Sequence, residues 1–499
     1  MLTARMGWGC AVMTAVLCAF AVPGIVDSRV MGFLALAPLY AALKQRRTVL
    51  AFFMGWFSGA LAICIATPWV ISSSATIFGY TTPAGVGILL LISLYQGLQF
   101  ALAAIVHSFS QRVIRPWLSF ALCFGAADAL FPHLFPASHS LFLYNAPIWL
   151  QTADIAGHGT VTFLVALANA SLVEVIVGRK LFPVVIPGVM SMVFMLGYAW
   201  VRVMQIDDVV KKSPIARVAV IQTGTFPREA QQDNARLLQT HVQMSRAAGN
   251  TEPIDLFIWS ESLFNNAIRK DELSYELGEL LHDMTAPVIM GVPIYVDSHS
   301  QISQHFNSVI LAATDGWVCP KCRYDKNVLF PVGEQFVSAQ NAGNESMAVA
   351  AHKKSLLEYK GHRIAAFVCF EGLLANYVRS LAQDAELLVN PSYDGWFGKT
   401  SAPAIHEALS RVRAIENRKP LIRAAMSGIS TIVDPSGRVV KSADVGGKTA
   451  IVGNVAFMKM RTLYSMVGNI PWICILVMLV SLAVYSIIHK RRATVSEVA

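Results

Sequence analysis

Charge is scarce in this chain. Only 14% of its 499 residues are Asp, Glu, Lys or Arg, and 55% are hydrophobic. An average soluble domain carries about 25% charged residues. With a mean hydropathy of +0.51, an ordinary soluble protein is excluded and an integral membrane protein is expected. The loops Ser72–Pro83 and Pro132–Gly159 contain no Lys or Arg at all. No basic stretch is interleaved with aromatics, so the net charge of +9 does not point to nucleic acid. A second Cys-x-x-Cys pair is also missing. Cys319 and Cys322 therefore do not complete a zinc ribbon, and a local disulfide in an oxidising compartment is the expected state.

Long apolar runs are plentiful, but only at the two ends. A helix needs about 20 apolar residues to cross the hydrocarbon. Candidate spans are Trp8–Val26, Val30–Leu43, Val49–Ile71, Ala84–Phe109, Trp117–Phe131, Thr160–Val177, Phe182–Val203 and Ile470–Ile488. The predicted architecture is a polytopic α-helical bundle of about eight spans plus one water-soluble α/β domain. The division expected is 1–205 for the N-terminal bundle, 206–468 for the soluble domain, and 469–499 for a last helix and basic tail. Basic clusters fall at Arg5, Lys44–Arg47, Arg112–Arg115, Arg179–Lys180 and His489–Arg492, all on one side of this topology. By the positive-inside rule that side is cytoplasmic. Seven crossings then place the soluble domain outside, which in a bacterial cell is the periplasm. Asp128 and Asp154 flank an outer loop and are expected to help dock that domain. Glu174 lies near a cytoplasmic helix end and is given no role.

The soluble stretch alternates β-branched runs with helical stretches. Arg217–Ile221, Ile254–Trp259, Pro287–Gly291, Asn307–Ala312, Ile364–Val368, Glu386–Val389, Leu421–Ala425 and Thr431–Val433 read as strands. Arg228–Ala247, Glu272–Met284, Leu373–Gln383 and Ala404–Asn417 read as helices. That alternation implies an α/β fold. Three reactive side chains lie at its strand ends or loops. Glu261 follows the Asp255–Trp259 strand. Lys326 sits on a loop after Asn307–Ala312. Cys369 ends an apolar strand, and the amides of a following helix should favour its thiolate. A carboxylate, an ammonium and a thiol are the parts needed to make and break a thioester. The loop Asn390–Gly398 carries Trp396 and Phe397, which line a site or fill a core. His406 and Arg423 are read as structural.

Taken together, the local sequences resemble a known family. Val218-Ala219-Val220-Ile221-Gln222, Tyr324-Asp325-Lys326 with Pro331-Val332-Gly333-Glu334, Asn390-Pro391-Ser392-Tyr393-Asp394-Gly395-Trp396-Phe397-Gly398, Arg413-Ala414-Ile415-Glu416 and Gly468-Asn469-Ile470-Pro471 follow one family's pattern, and the soluble stretch, with Glu261, Lys326 and Cys369 in that order, resembles the nitrilase (carbon–nitrogen hydrolase) superfamily. With the apolar helices included, the chain resembles the apolipoprotein N-acyltransferase family. The resemblance implies an αββα sandwich and a Glu–Lys–Cys triad. Glu261 would be the general base, Lys326 the cation at the oxyanion, and Cys369 the nucleophile. Glu334 and Glu371 would support Lys326, with Phe370 beside the nucleophile and Trp396 and Phe397 against substrate. It implies a phospholipid acyl donor, a lipoprotein acceptor, no cofactor and no metal, in the bacterial inner membrane. The family pattern has Cys-Tyr-Glu where this chain has Cys369-Phe370-Glu371, and Asn-Asn-Gly where this chain has Met426-Ser427-Gly428. A nitrilase-like protein of plasmid conjugation, the TraB type, is the other relative weighed. A membrane-anchored amidase and a non-catalytic scaffold are the alternative functions.

Overall fold

The computed structural model describes residues 3–26, 31–135, 137–178, 181–264, 267–296, 304–331, 334 and 347–496. Arg179 and Lys180, which belong to one expected basic cluster, lie outside them. Two compact units are present. One comprises Met1–Ile71, Thr81–Met204 and Met466–Ala499, and the other Ser72–Tyr80 and Gln205–Ser465.

The first unit is helical. Five helices are long and apolar enough to cross a membrane: Thr48–Ala66, Thr82–Ser110, His158–Val177, Val185–Lys212 and Ile470–Ile488. The protein is a polytopic membrane protein. The other three expected spans are shorter apolar helices, Ala4–Phe20, Met31–Leu43 and Pro116–Leu130. The third expected span also ends early. Its helix stops at Ala66 because Pro68 disfavours helical backbone at Thr67, and a separate helix, Trp69–Phe78, begins beyond the break. Within this unit Asp128 is buried and accepts from Ser138 Oγ and Thr162 Oγ1, each at 2.7 Å. Asp154 accepts from the Tyr198 hydroxyl at 2.6 Å and Arg202 Nε at 2.7 Å. Both carboxylates, expected at a docking surface, are thus engaged inside the helical unit. A buried charge without such donors would be strongly unfavourable. Glu174 pairs with Lys44.

The second unit holds two sheets. The first contains β1 (Ile215–Gln222), β2 (Leu256–Ile258), β3 (Val288–Tyr295), β4 (Gln304–Ala312), β5 (Val318–Asp325), β6 (Met347–Ala348) and, far along the chain, β13 (Thr449–Ala456). Its order is β13-β1-β2-β3-β4-β5, with β6 pairing to β4. The second contains β7 (Leu357–Tyr359), β8 (His362–Ala366), β9 (Leu387–Ser392), β10 (Leu421–Ala425), β11 (Ser430–Val433) and β12 (Val439–Ala443), in the order β12-β11-β10-β9-β8-β7. Side chains alternate across a strand. Val218 and Val220 of β1 accordingly join Ile364, Leu388 and Ile422 in one core between the sheets. Ala219 and Ile221 turn the other way and pack with Leu237, Trp259 and Leu277. Each such buried aliphatic or aromatic side chain contributes about 1.5–3 kcal/mol. The helix Ala402–Asn417 covers β10 and β11 and is buried all round. This is an αββα sandwich.

Local differences from the sequence reading have simple causes. The single helix expected over Arg228–Ala247 is two, Pro227–Gln232 and Asn234–Thr251. Asp233 interrupts it and caps the second by accepting from Arg236 N at 3.0 Å. Strand β5 was not expected, because Cys319-Pro320-Lys321-Cys322 reads as a loop. It pairs with β4 through a register shift between Ile310 and Ala312, and Cys319 and Cys322 are bridged.

Candidate active site

Glu261, Lys326 and Cys369 come together at the ends of β2, β5 and β8. Glu261 is buried, three residues past β2. Its backbone is pressed against β3 at Gly291, where an added Cβ would stand 2.7 Å from Glu261 Cα. Asn307 Nδ2 donates to Glu261 Oε1 at 2.8 Å and to Glu334 Oε1 at 3.3 Å. Glu261 Oε2 has no hydrogen-bond partner among the described residues, although the Cys369 thiol is near enough to help lower its carboxyl. Burial pushes the Glu261 carboxyl up, and Lys326 only partly offsets this.

Lys326 directly follows β5 and is 1% exposed. The loop reading is thus refined: strand pairing reaches its own amide, which donates to Asn307 O at 2.9 Å. Its ammonium meets both oxygens of Glu334 at 2.8 Å and stands 3.7 Å from Glu261 Oε1. Burial alone would neutralise the ammonium, but Glu334 and Glu261 outweigh it and raise the pKa above the ordinary lysine value. Lys326 therefore stays charged. Burial also raises Glu334, but Lys326 outweighs it and holds that carboxyl low.

Glu371 does not touch the ammonium directly. One oxygen accepts from the amides of Asn327 and Val328 at 2.8 Å each. The other accepts from Val368 N at 2.8 Å and the Tyr324 hydroxyl at 2.7 Å. This side chain laces the segment after Lys326 to the turn that carries Cys369. Burial is the main influence on its carboxyl, and raises it.

Cys369 opens a short 3-10 turn, Cys369–Leu373, with φ +49°. Left-handed backbone at a non-glycine residue costs about 1–2 kcal/mol and needs surrounding structure to hold it. The expected thiolate, favoured by helix amides, is not what the surroundings support. Burial first, then the Glu261 charge, raise the thiol well above its ordinary value, against the pull of Lys326. The Cys369 residue as a whole is half-buried. Phe370 is buried and packs on Phe330, ring centroids 5.3 Å apart. Trp396 is half-buried against the Tyr393 ring at 5.6 Å and the core of the first sheet. Phe397 is half-buried.

A second set of polar residues surrounds the nucleophile from behind. Asn390 of β9 donates to Phe367 O at 2.8 Å and to Cys369 O at 3.4 Å. Arg423 of β10 donates to Asn390 Oδ1 at 2.7 Å, Ser392 Oγ at 2.6 Å and Asp394 Oδ2. His406 Nδ1 is 2.9 Å from Asp394 Oδ1, and Nε2 is 3.1 Å from Cys369 O. Burial raises the Asp394 carboxyl, but Arg423 and His406 outweigh it and hold it well below the usual range. Both ring nitrogens therefore face acceptors, and only the doubly protonated ring donates to both. Burial, then Arg423, lowers the His406 pKa, with Asp394 opposing. Cys369 Sγ and ligand atoms of Asp394 and His406 lie within 4.8 Å of one another. Their donor set resembles a metal site, but both ring nitrogens and both Asp394 oxygens are already engaged, and the Arg423 cation adjoins them. Sequence reasoning gave Asn307 no role, and named Asn390 only as the first residue of the Asn390–Gly398 motif.

Comparison with known proteins bears on this geometry. The carbon-nitrogen hydrolase family model matches residues 217–463, and that of the apolipoprotein N-acyltransferase N-terminal domain matches residues 14–171. The chain belongs to the apolipoprotein N-acyltransferase family, within the carbon–nitrogen hydrolase superfamily. It is 29% identical to apolipoprotein N-acyltransferase of Geobacter metallireducens over 93% of this chain and 92% of that one. It is 25% identical to apolipoprotein N-acyltransferase of Pseudomonas putida, over 87% of this chain and 88% of that one. The solved structure of Saccharomyces cerevisiae Nit3, a member of branch 10 of the nitrilase superfamily, aligns with 52% of this chain and 94% of its own. The identity is 17% and the TM-score 0.38. These findings give no support to the conjugal-transfer alternative.

Proposed function

We propose that the protein moves a fatty acyl group from a membrane phospholipid to the N-terminal amine of a lipoprotein through a thioester on Cys369. The observation that carries this reading is the convergence of Glu261, a charged Lys326 and Cys369 in a member of this family. In this reading 1–205 is the membrane bundle, 206–468 the catalytic domain and 469–499 the closing helix and tail. In the same reading the catalytic domain lies on the periplasmic face of the inner membrane, which the one-sided basic clusters support.

In the first half, the Glu261 carboxylate takes the thiol proton as sulfur attacks the ester carbonyl. A high thiol pKa and a raised carboxyl pKa suit a proton that moves during attack, not before it. The tetrahedral oxyanion is stabilised by Lys326 and the Phe370 N–H; one such donor is typically worth about 2.7–4 kcal/mol. The carbon–oxygen bond breaks, Glu261 returns its proton to the leaving lysophospholipid oxygen, and the acyl group remains on sulfur. In the second half, a neutral α-amine attacks the thioester and Glu261 removes its extra proton. The carbon–sulfur bond breaks, Cys369 regains a proton, and an amide is formed. Glu334 holds the Lys326 ammonium, and Glu371 ties the two loops. Trp396 and Phe397 meet acyl chain, Trp396 through its exposed part.

The test is transfer from the acyl-enzyme. Protein acylated with phospholipid is freed of lipid and given a peptide whose N-terminal cysteine carries a diacylglyceryl group. The expected result is loss of the adduct with equal formation of N-acylated peptide. Loss of adduct to free fatty acid alone, unaffected by peptide, would favour an amidase-like hydrolase and sink the transfer step.

A further inference from the structure

Cys369 occupies a backbone conformation that non-glycine residues rarely adopt, and its carbonyl oxygen accepts from Asn390 Nδ2 at 3.4 Å and lies 3.1 Å from His406 Nε2, which donates to it when the ring is protonated at both nitrogens. That oxygen and the Phe370 N–H belong to one planar peptide unit. Whatever fixes the oxygen fixes the direction of the N–H. His406 is 3% exposed on a helix buried all round, so its ring has little freedom. Its far side is braced by Asp394, which Arg423 holds in turn, and Arg423 also grips Asn390. The two donors on Cys369 O thus share one anchor.

We propose that His406 is a positioning residue, which holds the Cys369–Phe370 peptide so that the Phe370 N–H faces the oxyanion. This rests on the acyl-transfer reading above. It also gives Asp394 and Arg423 a role: they set the ring that sets the peptide. His406 touches neither substrate nor sulfur in this scheme. It acts on oxyanion stabilisation, not on lipid binding.

Two amide substitutions divide the ring into its halves. His406→Gln carries a donor near the Nε2 position and keeps reach to Cys369 O. His406→Asn carries one near Nδ1 and keeps reach only to Asp394. Full-length protein in detergent is given a defined mixture of phosphatidylethanolamine and phosphatidylglycerol. The rate of hydroxylamine-sensitive acylation of Cys369 is then followed at limiting and saturating lipid. The expected result is His406→Gln within a few-fold of wild type. His406→Asn should be slower by about 10- to 100-fold, as when an outer partner orienting a reacting group is lost, with the half-saturating lipid concentration unchanged. Alkylation of Cys369 by iodoacetamide, which builds no oxyanion, should proceed at similar rates in all three proteins, and folding is checked by thermal melting. The proposal is overturned if His406→Asn keeps the rate and His406→Gln loses it. Equal rates in the two folded variants, or an alkylation rate that falls in step with acylation, would overturn it as well. Absence of any adduct on folded wild type would strike at the acyl-transfer reading instead.

Discussion

Lys326 gives its ammonium to both oxygens of Glu334 at 2.8 Å and keeps Glu261 at 3.7 Å. The lysine is therefore mainly neutralised by one carboxylate, which leaves the other free to accept a proton. Glu261 feels a raising influence from the Glu334 charge and a lowering one from Lys326. Glu334→Gln removes the first and leaves the ammonium to Glu261 alone. The Glu261 pKa should fall, and the base should weaken. A pH–rate profile of Cys369 acylation should show its lower limb moved to more acidic pH and its plateau reduced. An unmoved limb would show that Glu334 does not tune Glu261.

In the wild type the same profile has a defined sign. Glu261 must be ionised to take the thiol proton, and burial holds its pKa above the ordinary carboxylate value. Acylation should therefore rise with pH through a midpoint above the ordinary glutamate range. Glu261→Gln should abolish this limb together with the rate, a loss of about 10²–10⁴-fold. A limb that survives in Glu261→Gln would assign the base elsewhere.

Lys326→Met should fail in two ways. It leaves Glu261 and Glu334 facing each other without their shared cation in a buried site, and breaking a buried pair costs about 3–5 kcal/mol. It also removes an oxyanion donor. Thermal melting should show the first loss, and acylation of whatever protein folds should show the second. Raising the acidity should narrow the difference in melting, because the freed carboxylates then protonate.

Gly291→Ala isolates the placement of the base. The added methyl would meet Glu261 Cα at 2.7 Å, Ser260 O at 3.1 Å and Ser262 N at 3.1 Å. All three are backbone atoms, so no side chain can swing away. A cost of about 1–3 kcal/mol in stability is expected, with acylation falling more than lipid binding. Normal acylation in this variant would mean that the Glu261 backbone can shift without consequence.

Arg423→Met should destabilise by about 3–5 kcal/mol by leaving Asp394 buried without its main cation. Asp394 is held well below the usual carboxylate range. Its contribution to wild-type stability is therefore present above its unfolded pKa and lost as pH falls through the folded one. In the variant Asp394 is stabilised by protonation, so the melting gap should be widest near neutral pH and narrow on acidification.

The sandwich was legible in sequence because its strands are short apolar runs between turn formers; Leu421–Ala425 was read at its observed bounds. Strand β5 was not, since proline, lysine and a cysteine pair mask a strand held by pairing to β4. Glu261, Lys326 and Cys369 stood out by residue type and local motif. Asn307, His406 and Arg423 did not, and Asn390 and Asp394 stood in a motif without a role, because what these residues do lies in sheet order. β9 runs between β8 and β10, and only that adjacency brings Asn390 and Arg423 behind Cys369. The thiol's protonation is not legible in sequence for a related reason: the neighbouring turn is visible there, but the burial of the thiol and the Glu261 charge that folding brings beside it are not.

The most direct measurement is intact-protein mass spectrometry after incubation with phospholipid in detergent, comparing wild type with Cys369→Ala. One fatty-acyl mass on the wild type, removed by neutral hydroxylamine and absent from the folded variant, is the expected result. A folded wild type that acquires no adduct from any of several phospholipids, or a variant acylated equally, would contradict the thioester at Cys369.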